Sequence, residues 1–338
     1  VIIACATAYR RGDAVEIAHE SAIIIWDARS KTQHFIRRAT FTTGTPDFGF
    51  LVPTPTQPYL AESSDDAFSL LEKVTAPEVV TVHDYTFIPF PIGCAAGMAP
   101  KAAAKVEVLD EGRVGGYDAV VLKAESAAAL NDWLSEHKYA TRPDLTEWLE
   151  PYVKAGWKLT AFKIARDATH QQVATSAVRM SFSAEKPFFP YSEPAEQRDP
   201  KQHHGKRLLR VFLIAEDRYE GQLKGGAGWP GKTVWAGSLR SEHTGGLAEK
   251  LAMPLGPQPL WLTTFEDSSS PRPGTADVFF SSSATQAEVR RPPIVEHEEY
   301  DLTGWVCLGL FLGIGGGTLW GIWWYRRLRR PPPMTASP

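Results

Sequence analysis

Ser21–Phe41, SAIIIWDARSKTQHFIRRATF, decides how this chain folds. Ile23–Trp26 is a run of β-branched and aromatic residues, and Phe35–Phe41 contains a second apolar set. Such side chains fit the pleated surface of a strand. Between them lies Asp27-Ala-Arg-Ser-Lys-Thr. Its Asp and Ser side chains can hydrogen-bond to their own backbone and stabilise a turn. The pattern predicts a β-hairpin.

Working outward, Phe48–Val52 is a third strand candidate, and Pro53, Pro55 and Pro58 end its ladder. Asp65–Val74 carries Phe68, Leu71 and Val74 at helical spacing. Val106–Leu109 and Tyr117–Leu122 read as strands. Ser126 can cap a helix running to Tyr139, and Pro143 opens another that Pro151 should kink or divide before Gly156. Trp157–Ile164 and Ser176–Phe182 are strands. Leu208–Ala215 and Tyr219–Leu223 suggest a second hairpin, and Thr233–Leu239, Pro259–Phe265 and Ala276–Ser282 follow as short strands. The expected fold class is α+β, with antiparallel sheets and two or three helices in the first half and mostly β in the second. One C-terminal transmembrane helix is expected besides.

The organisation read from the sequence runs as follows. Residues 1–20 form an exported N-terminal segment, 21–184 an α+β domain, and 185–206 a proline-rich loop or boundary. Residues 207–282 form a β-rich domain, 283–303 a stalk, 304–325 a transmembrane helix and 326–338 a cytoplasmic tail. The opening VIIACATA resembles the end of an export signal with small residues at a cleavage region. Two alternatives stay open there, a first strand over Val1–Ala4 and a lipoprotein box acylated at Cys5.

Trp305–Trp324 contains no charged residue. At about 1.5 Å per residue it spans about 30 Å, the thickness of a bilayer hydrocarbon core. Trp320, Trp323, Trp324 and Tyr325 gather at one end, as rings do at headgroup level. Glu296, Glu298, Glu299 and Asp301 precede the span, and Arg326, Arg327, Arg329 and Arg330 follow it. The positive-inside rule then puts the tail in the cytoplasm and the body outside the cell membrane, a single-pass arrangement. Gly309, Gly313, Gly317 and Gly321 repeat every four residues on one helix face. Small residues at that spacing let helices approach closely. The bilayer is therefore an expected partner, with a second copy or another membrane helix packed on the glycine face.

The chain carries 36 Lys and Arg against 39 Asp and Glu. Setting the four arginines of the tail aside leaves 32 bases, a balance of −7 for the rest. No basic footprint for nucleic acid exists.

Three cysteines are present, and Cys307 lies in the apolar span. Cys5 and Cys94 fall in the outer body, where oxidation is permitted, so a Cys5–Cys94 disulfide is one arithmetic option and two free or modified thiols the other. His203-His204 is the only adjacent histidine pair, without the ligand spacing of a zinc site. Gly226–Thr233, GAGWPGKT, matches a phosphate-binding loop by letters. A working loop needs a helix after it, and Thr233–Leu239 reads as a strand. No metal or cofactor is expected. Trp229 and Trp235, flanked by Gly and Pro, are the expected exposed pair on which a ligand could stack. No G-x-S-x-G elbow occurs, so a nucleophilic site would have to assemble in space.

Several stretches carry a resemblance. SAIIIWDARSKTQHFIRRATF, then DFGFLVPTPTQP, then GGYDAVVLKAESAAALNDWLSEHKY with Asn131, Asp132 and Trp133, then YVKAGWKLTAFKI, and RMSFSAEKPFFPYSEP, occur in this order over Ser21–Ser282. They resemble an uncharacterised family of exported bacterial proteins, domain-of-unknown-function family number 2330. The resemblance implies export and often a C-terminal anchor, and it supplies no activity. Members often carry several cysteines near the start, whereas here Cys5 stands alone. Together these readings point to a non-catalytic envelope module for binding or assembly, with an extracytoplasmic hydrolase as the alternative.

Overall fold

The computed structural model describes residues 7–8, 15–43, 47–86, 117–137, 139, 143–165, 172–174, 177–199, 207–256, 259–301 and 324–325. The chain divides into two units, Val1–Ala76 with Leu109–Arg291, and Pro77–Val108 with Pro292–Pro338.

In chain order the elements are β1 (Thr7–Ala8), β2 (Val15–Asp27), β3 (Thr32–Thr43), β4 (Asp47–Thr54), β5 (Tyr59–Ser63), α1 (Asp66–Val74), β6 (Val79–Thr86) and β7 (Tyr117–Leu122). There follow α2 (Ala127–Glu136), α3 (Pro143–Lys154), β8 (Lys158–Ala165), β9 (Gln172–Ala174), β10 (Ala177–Ser183), β11 (Phe188–Phe189) and a 3-10 helix (Ala195–Arg198). The last are β12 (Leu208–Ala215), β13 (Tyr219–Leu223), β14 (Lys232–Ser238), α4 (Ser241–Leu251), β15 (Trp261–Asp267), β16 (Val278–Ser282) and β17 (Ile294–Asp301).

The expected hairpin is β2–β3, closing at Asp27↔Thr32. Asp27 Oδ1 accepts from the Arg29 and Ser30 amides at 2.9 and 3.2 Å. The hairpin sits inside an eight-stranded sheet of order β14-β15-β12-β2-β3-β10-β5, with β9 also on β3. β12 runs parallel to β2, Leu208↔His19 to Ile214↔Ile25. The sheet is therefore mixed, not purely antiparallel. Its central strands are covered on both faces, which explains their near-continuous apolar runs.

The layers follow from alternation along each strand. On the inner face, Ala22, Ile24, Trp26, Phe35, Leu209, Val211 and Phe265 pack on Phe50, Val52 and Phe162 of the four-stranded sheet β1-β4-β8-β7. They also pack on Phe188, Phe189, Val278 and Phe280 of the three-stranded sheet β11-β16-β13. On the outer face, Ile23, Ile25, Ile36, Phe212 and Leu262 bury Phe68 and Leu71 of α1 and Leu247 and Leu251 of α4. A third cluster joins Leu51, Leu159 and Ala161 to Leu130 and Leu134 of α2 and Leu145, Trp148, Leu149 and Tyr152 of α3. The first unit is thus layered helix, sheet, sheet, helix, an α+β architecture with four α-helices of more than one turn among the described residues.

Several expectations change. The expected hairpin of Leu208–Ala215 with Tyr219–Leu223 does not form: β12 pairs with β2 and β15, while β13 pairs with β16 in another sheet. The proline-rich stretch 185–206 does not break the fold, because β2, β3 and β10 before it share one sheet with β12, β14 and β15 after it. Pro151 leaves α3 undivided to Lys154. It forfeits only its own amide bond to the Glu147 carbonyl, and the packing of Leu145, Trp148, Leu149 and Tyr152 holds the helix together across it. α4 went unanticipated. Its sequence SEHTGGLAEKL holds two glycines and two leucines, so tertiary packing rather than propensity supports it. Ser126 caps α2 as expected, accepting from the Ala129 amide at 3.1 Å.

In the second unit β6 and β17 pair in parallel, from Ile294↔Val79 to Asp301↔Thr86. Most of the expected stalk's last third is therefore a strand. Val79, Val80, Val82, Ile294 and Val295 are exposed. Among the described residues no helix is long and apolar enough to cross a membrane. The expected span 304–325 lies outside them except for Trp324 and Tyr325, which are helical and exposed. Val1–Ala4, Val106–Leu109 and His203-His204 also lie outside the described residues.

Candidate functional site

At one end of the large sheet, alternation sends charged rather than apolar residues to the inner face. Glu20 precedes Ala22 by two positions, Arg37 follows Phe35, Arg207 precedes Leu209, and Asp267 follows Phe265. Glu193, from the segment after β11, and Arg272, from the connection between β15 and β16, complete the group. All six are buried. Arg272 is the hub: its Nη1 donates to Glu20 Oε2 at 3.3 Å and lies 3.6 Å from Glu193 Oε1, and its Nε lies 3.6 Å from Asp267 Oδ2. Arg37 Nε donates to Glu20 Oε1 at 3.1 Å, and Arg207 Nη2 to Glu193 Oε1 at 3.0 Å. The Tyr191 hydroxyl donates to Asp267 Oδ2 at 2.8 Å. Three guanidiniums thus face three carboxyls.

The two glutamates differ. Burial opposes the charge of both, but both oxygens of Glu20 receive a guanidinium. Arg37, Arg272 and Arg207 together hold Glu20 below the usual carboxylate range. Burial pushes Glu193 up to about 7, against the pull of Arg207 and Arg272. Glu193 Oε1 is paired, and its buried Oε2 has no hydrogen-bond partner among the described residues.

Glu193 also opens onto a pocket of about 330 Å³. α3 supplies Asp144, Glu147, Trp148, Pro151 and Tyr152 to its wall. The segment around the 3-10 helix adds Ser192, Pro194, Ala195 and Arg198. Gly274–Asp277, Trp157 and Lys224 close it. Trp148 and Tyr152 meet edge to face with centroids 5.1 Å apart, and Tyr152 and Trp157 lie 5.4 Å apart. Asp277 is buried and accepts from the Tyr152 hydroxyl at 2.9 Å and the Ser192 amide at 3.1 Å. Burial pushes it up to about 6 despite those bonds. Trp148 Nε1 donates to Ser192 O at 2.9 Å. Gly274 adopts φ +52°, and its carbonyl accepts from the Glu193 amide at 2.8 Å. A Cβ there would stand 3.0 Å from Glu193 Cβ and 3.1 Å from its Oε2, so glycine lets the loop close tightly over the Glu193 side chain. Two buried acids beside an aromatic pocket are thus held toward their neutral forms, the kind of perturbation that marks a candidate site.

The expected site residues lie elsewhere. Trp229 and Trp235 are buried, at 9% and 6% exposure, and on opposite faces of the large sheet. Trp229 packs on Tyr191, Phe265 and Phe280, and a Cβ at Gly221 or Gly231 would collide with its ring. Gly225 and Gly226, at φ +97° and +86°, do form an exposed turn, while Gly231 makes room for the indole. Trp235 is covered by the Arg290 guanidinium, 4.6 Å over its ring. They form no joint platform. Lys232 begins a strand, not a helix, so Gly226–Thr233 is no phosphate loop. Cys5, Cys94, Gly309, Gly313, Gly317 and Gly321 lie outside the described residues. Among the described residues no three of His, Cys, Asp and Glu come together as metal ligands.

Sequence reasoning named none of Glu193, Asp277 or Arg272. The signals were present but bland: Glu193 is the penultimate residue of the quoted RMSFSAEKPFFPYSEP block, and Trp148 and Tyr152 fall in the helix expected from Pro143.

The class is a layered α+β body with a buried ionic cluster beside an aromatic, acid-lined pocket. The chain belongs to the family described as "Uncharacterized protein conserved in bacteria (DUF2330)", which matches residues 2–237. That match ends within β14, so Asp267, Arg272, Gly274 and Asp277 lie beyond it. No curated protein matches the sequence. Among solved structures, the chain is similar to that titled "Crystal structure of baculovirus P35", with a TM-score of 0.35 and 7% identity over 83% of this chain and 97% of that one. Likeness at that level supports no statement about fold or activity.

Proposed function

We propose that this chain is an exported, single-pass protein of the cell membrane whose outer body is a non-catalytic binding module. The observation that carries the binding reading is the pocket between α3 and Gly274–Asp277, which joins three aromatic rings to two buried carboxyls. Pockets of such size with aromatic walls and convergent polar groups are typical of small-molecule sites. The charge-free Trp305–Trp324 and the arginines after it support the anchor and the orientation. The glycine stripe Gly309–Gly321 supports a helix partner or a second copy in the membrane.

Topology is checked by protease treatment of intact cells carrying epitopes on the body and on the C-terminus. The body should be cut and the C-terminal epitope protected; the reverse pattern would overturn the orientation. Crosslinking of the detergent-solubilised protein should trap an oligomer that Gly313→Ile and Gly317→Ile weaken.

A second reading, an extracytoplasmic hydrolase, draws on one observation. Glu193 and Asp277 are both held toward their neutral forms in one pocket, and such a carboxyl can serve as a general acid. Turnover of chromogenic glycosides or esters that Glu193→Gln abolishes would replace the binding reading.

A further inference from the structure

β6 and β17 form a ribbon of two parallel strands, and such a ribbon is a poor stopping point for a sheet. Parallel strands occur in sheets covered on both faces, and a pair of strands by itself is marginal in water. Here Val79, Val80, Val82, Ile294 and Val295 are between 39% and 53% exposed. Glu78, Thr81 and Glu296 are exposed as well, so side chains on both faces meet solvent. None of these residues lines the aromatic pocket, and the surface stands whatever that pocket binds.

The ladder fixes which backbone groups are spare. Ile294 lies opposite Val79, and its amide donates to the Glu78 carbonyl at 2.8 Å. Backbone groups alternate sides along a strand. Glu78, Val80 and Val82 therefore turn theirs toward β17, while Val79, Thr81, His83 and Tyr85 turn theirs away. Among the described residues no strand pairs with that outer edge of β6. A row of unpaired amides and carbonyls is a template for another strand.

Side chains specify what fits the edge. The register puts Val80, Val82 and Val295 on one face, and Val79, Thr81, Ile294 and Glu296 on the other. The two strands and their lead-in residues, Pro77–Thr86 and Pro292–Asp301, hold Glu78, Asp84, Glu296, Glu298, Glu299 and Asp301 without a lysine or arginine. Thr81 is short and stands opposite Glu296. A strand added outside β6 would lie about 9.6 Å from β17, two strand spacings. A Lys or Arg on it, facing Thr81, reaches over that small side chain toward Glu296. On the other face, β-branched side chains would pack on Val80 and Val82. A second copy of the ribbon would bring the same acids against these ones, which like-charge repulsion disfavours.

We propose that the outer edge of β6 receives an extended segment of another protein as a third strand, in which β-branched residues alternate with Lys or Arg. Main-chain bonds to Val79 and Thr81 attach it, and the acids of the ribbon select its sequence.

The test is fluorescence anisotropy of labelled octapeptides titrated with the full chain in detergent. The probes are a Val-Lys repeat, a Val-Glu repeat, and a Gly-Lys repeat with the charge of the first but no β-branched residue. The Val-Lys repeat should bind one to one, at least about tenfold more tightly than either of the others, and its affinity should fall in molar salt. Thr81→Pro deletes an amide that points away from β17, so the ribbon survives and binding should drop about tenfold or more. Glu296→Lys, at an exposed position, should weaken binding about fivefold, and it serves if the proline variant fails to fold. Equal binding of the Val-Lys and Gly-Lys repeats reduces the effect to charge and overturns strand addition. Preference for the Val-Glu repeat, binding by none of the three, or affinity unchanged in both variants overturns it as well. A dimer in light scattering that Thr81→Pro dissociates, with no peptide bound, overturns it in favour of a second copy at the edge.

Discussion

Two ion networks hang from the same strands of the large sheet and differ in one thing, the face they occupy. Arg37 points inward and Arg38 outward; Asp267 points inward and Glu266 outward. The inner network of Glu20, Arg37, Glu193, Arg207 and Arg272 has side chains between 0% and 6% exposed. In the outer one Arg38 meets Glu72 at 2.6 Å, and Arg210 and Arg291 both meet Glu266 at 2.7 Å, with exposures from 18% to 36%. Neighbouring residues in sequence thus meet opposite solvents. The outer pairs keep part of their hydration and gain little from pairing. The inner ones have lost it and depend on one another, so removing a single member strands the rest.

The sharpest way to break this contrast is Arg272→Met. It leaves Glu20, Glu193 and Asp267 short of a guanidinium in a dry layer and should destabilise the protein by about 3–5 kcal/mol in urea unfolding. A loss no larger than that of an outer pair would mean water reaches the cluster.

Next in size is a dependence on pH. Because Glu193 is pushed up to about 7, the folded state holds its proton where the unfolded chain, near 4.3, has released it. Stability should therefore fall as pH rises between those values, by up to about 1.4 kcal/mol per pH unit from this group. Asp277, raised to about 6, adds the same sign over a narrower window. Glu20, held low by its arginines after burial is overcome, acts oppositely: its contribution disappears as pH falls through its depressed value. Denaturation series from pH 5 to 8 on wild type and Glu193→Gln should show the slope flattened in the variant; parallel slopes would remove Glu193 from the account.

The smallest expected effect sharpens the outer side of the contrast. A double-mutant cycle of Arg38→Met and Glu72→Gln should give a coupling of about 1 kcal/mol or less that shrinks further in molar salt. The Arg272→Met loss should persist in the same salt. A salt-resistant outer coupling would erase the distinction.

Legibility in the sequence followed the range of the interaction. The β2–β3 hairpin was readable because strand, turn and strand are contiguous and Asp27 caps its own loop. The α2 start was readable because Ser126 reaches an amide three residues on. α4 was not, since two glycines dilute its propensity and its leucines gain stability only on the outer face of the sheet. β17 pairs with β6 across more than two hundred residues of chain, and no local pattern announces such a partner. Trp229 misled because the turn at Gly225 and Gly226 beside it is exposed, while the indole itself folds inward against Gly221 and Gly231.

The sequence alone determined local matters: where strands and capped helices begin, the family resemblance, and a charge-free segment followed by arginines. Those properties depend on side-chain chemistry within a few residues, or on a bilayer's fixed thickness. Tertiary structure alone decided which charges are dry. Glu193 and Asp277 are separated by 84 positions in sequence, and nothing near either one hints at a shared pocket. Their altered proton affinity is a property of burial, and burial exists only once distant strands have closed over them.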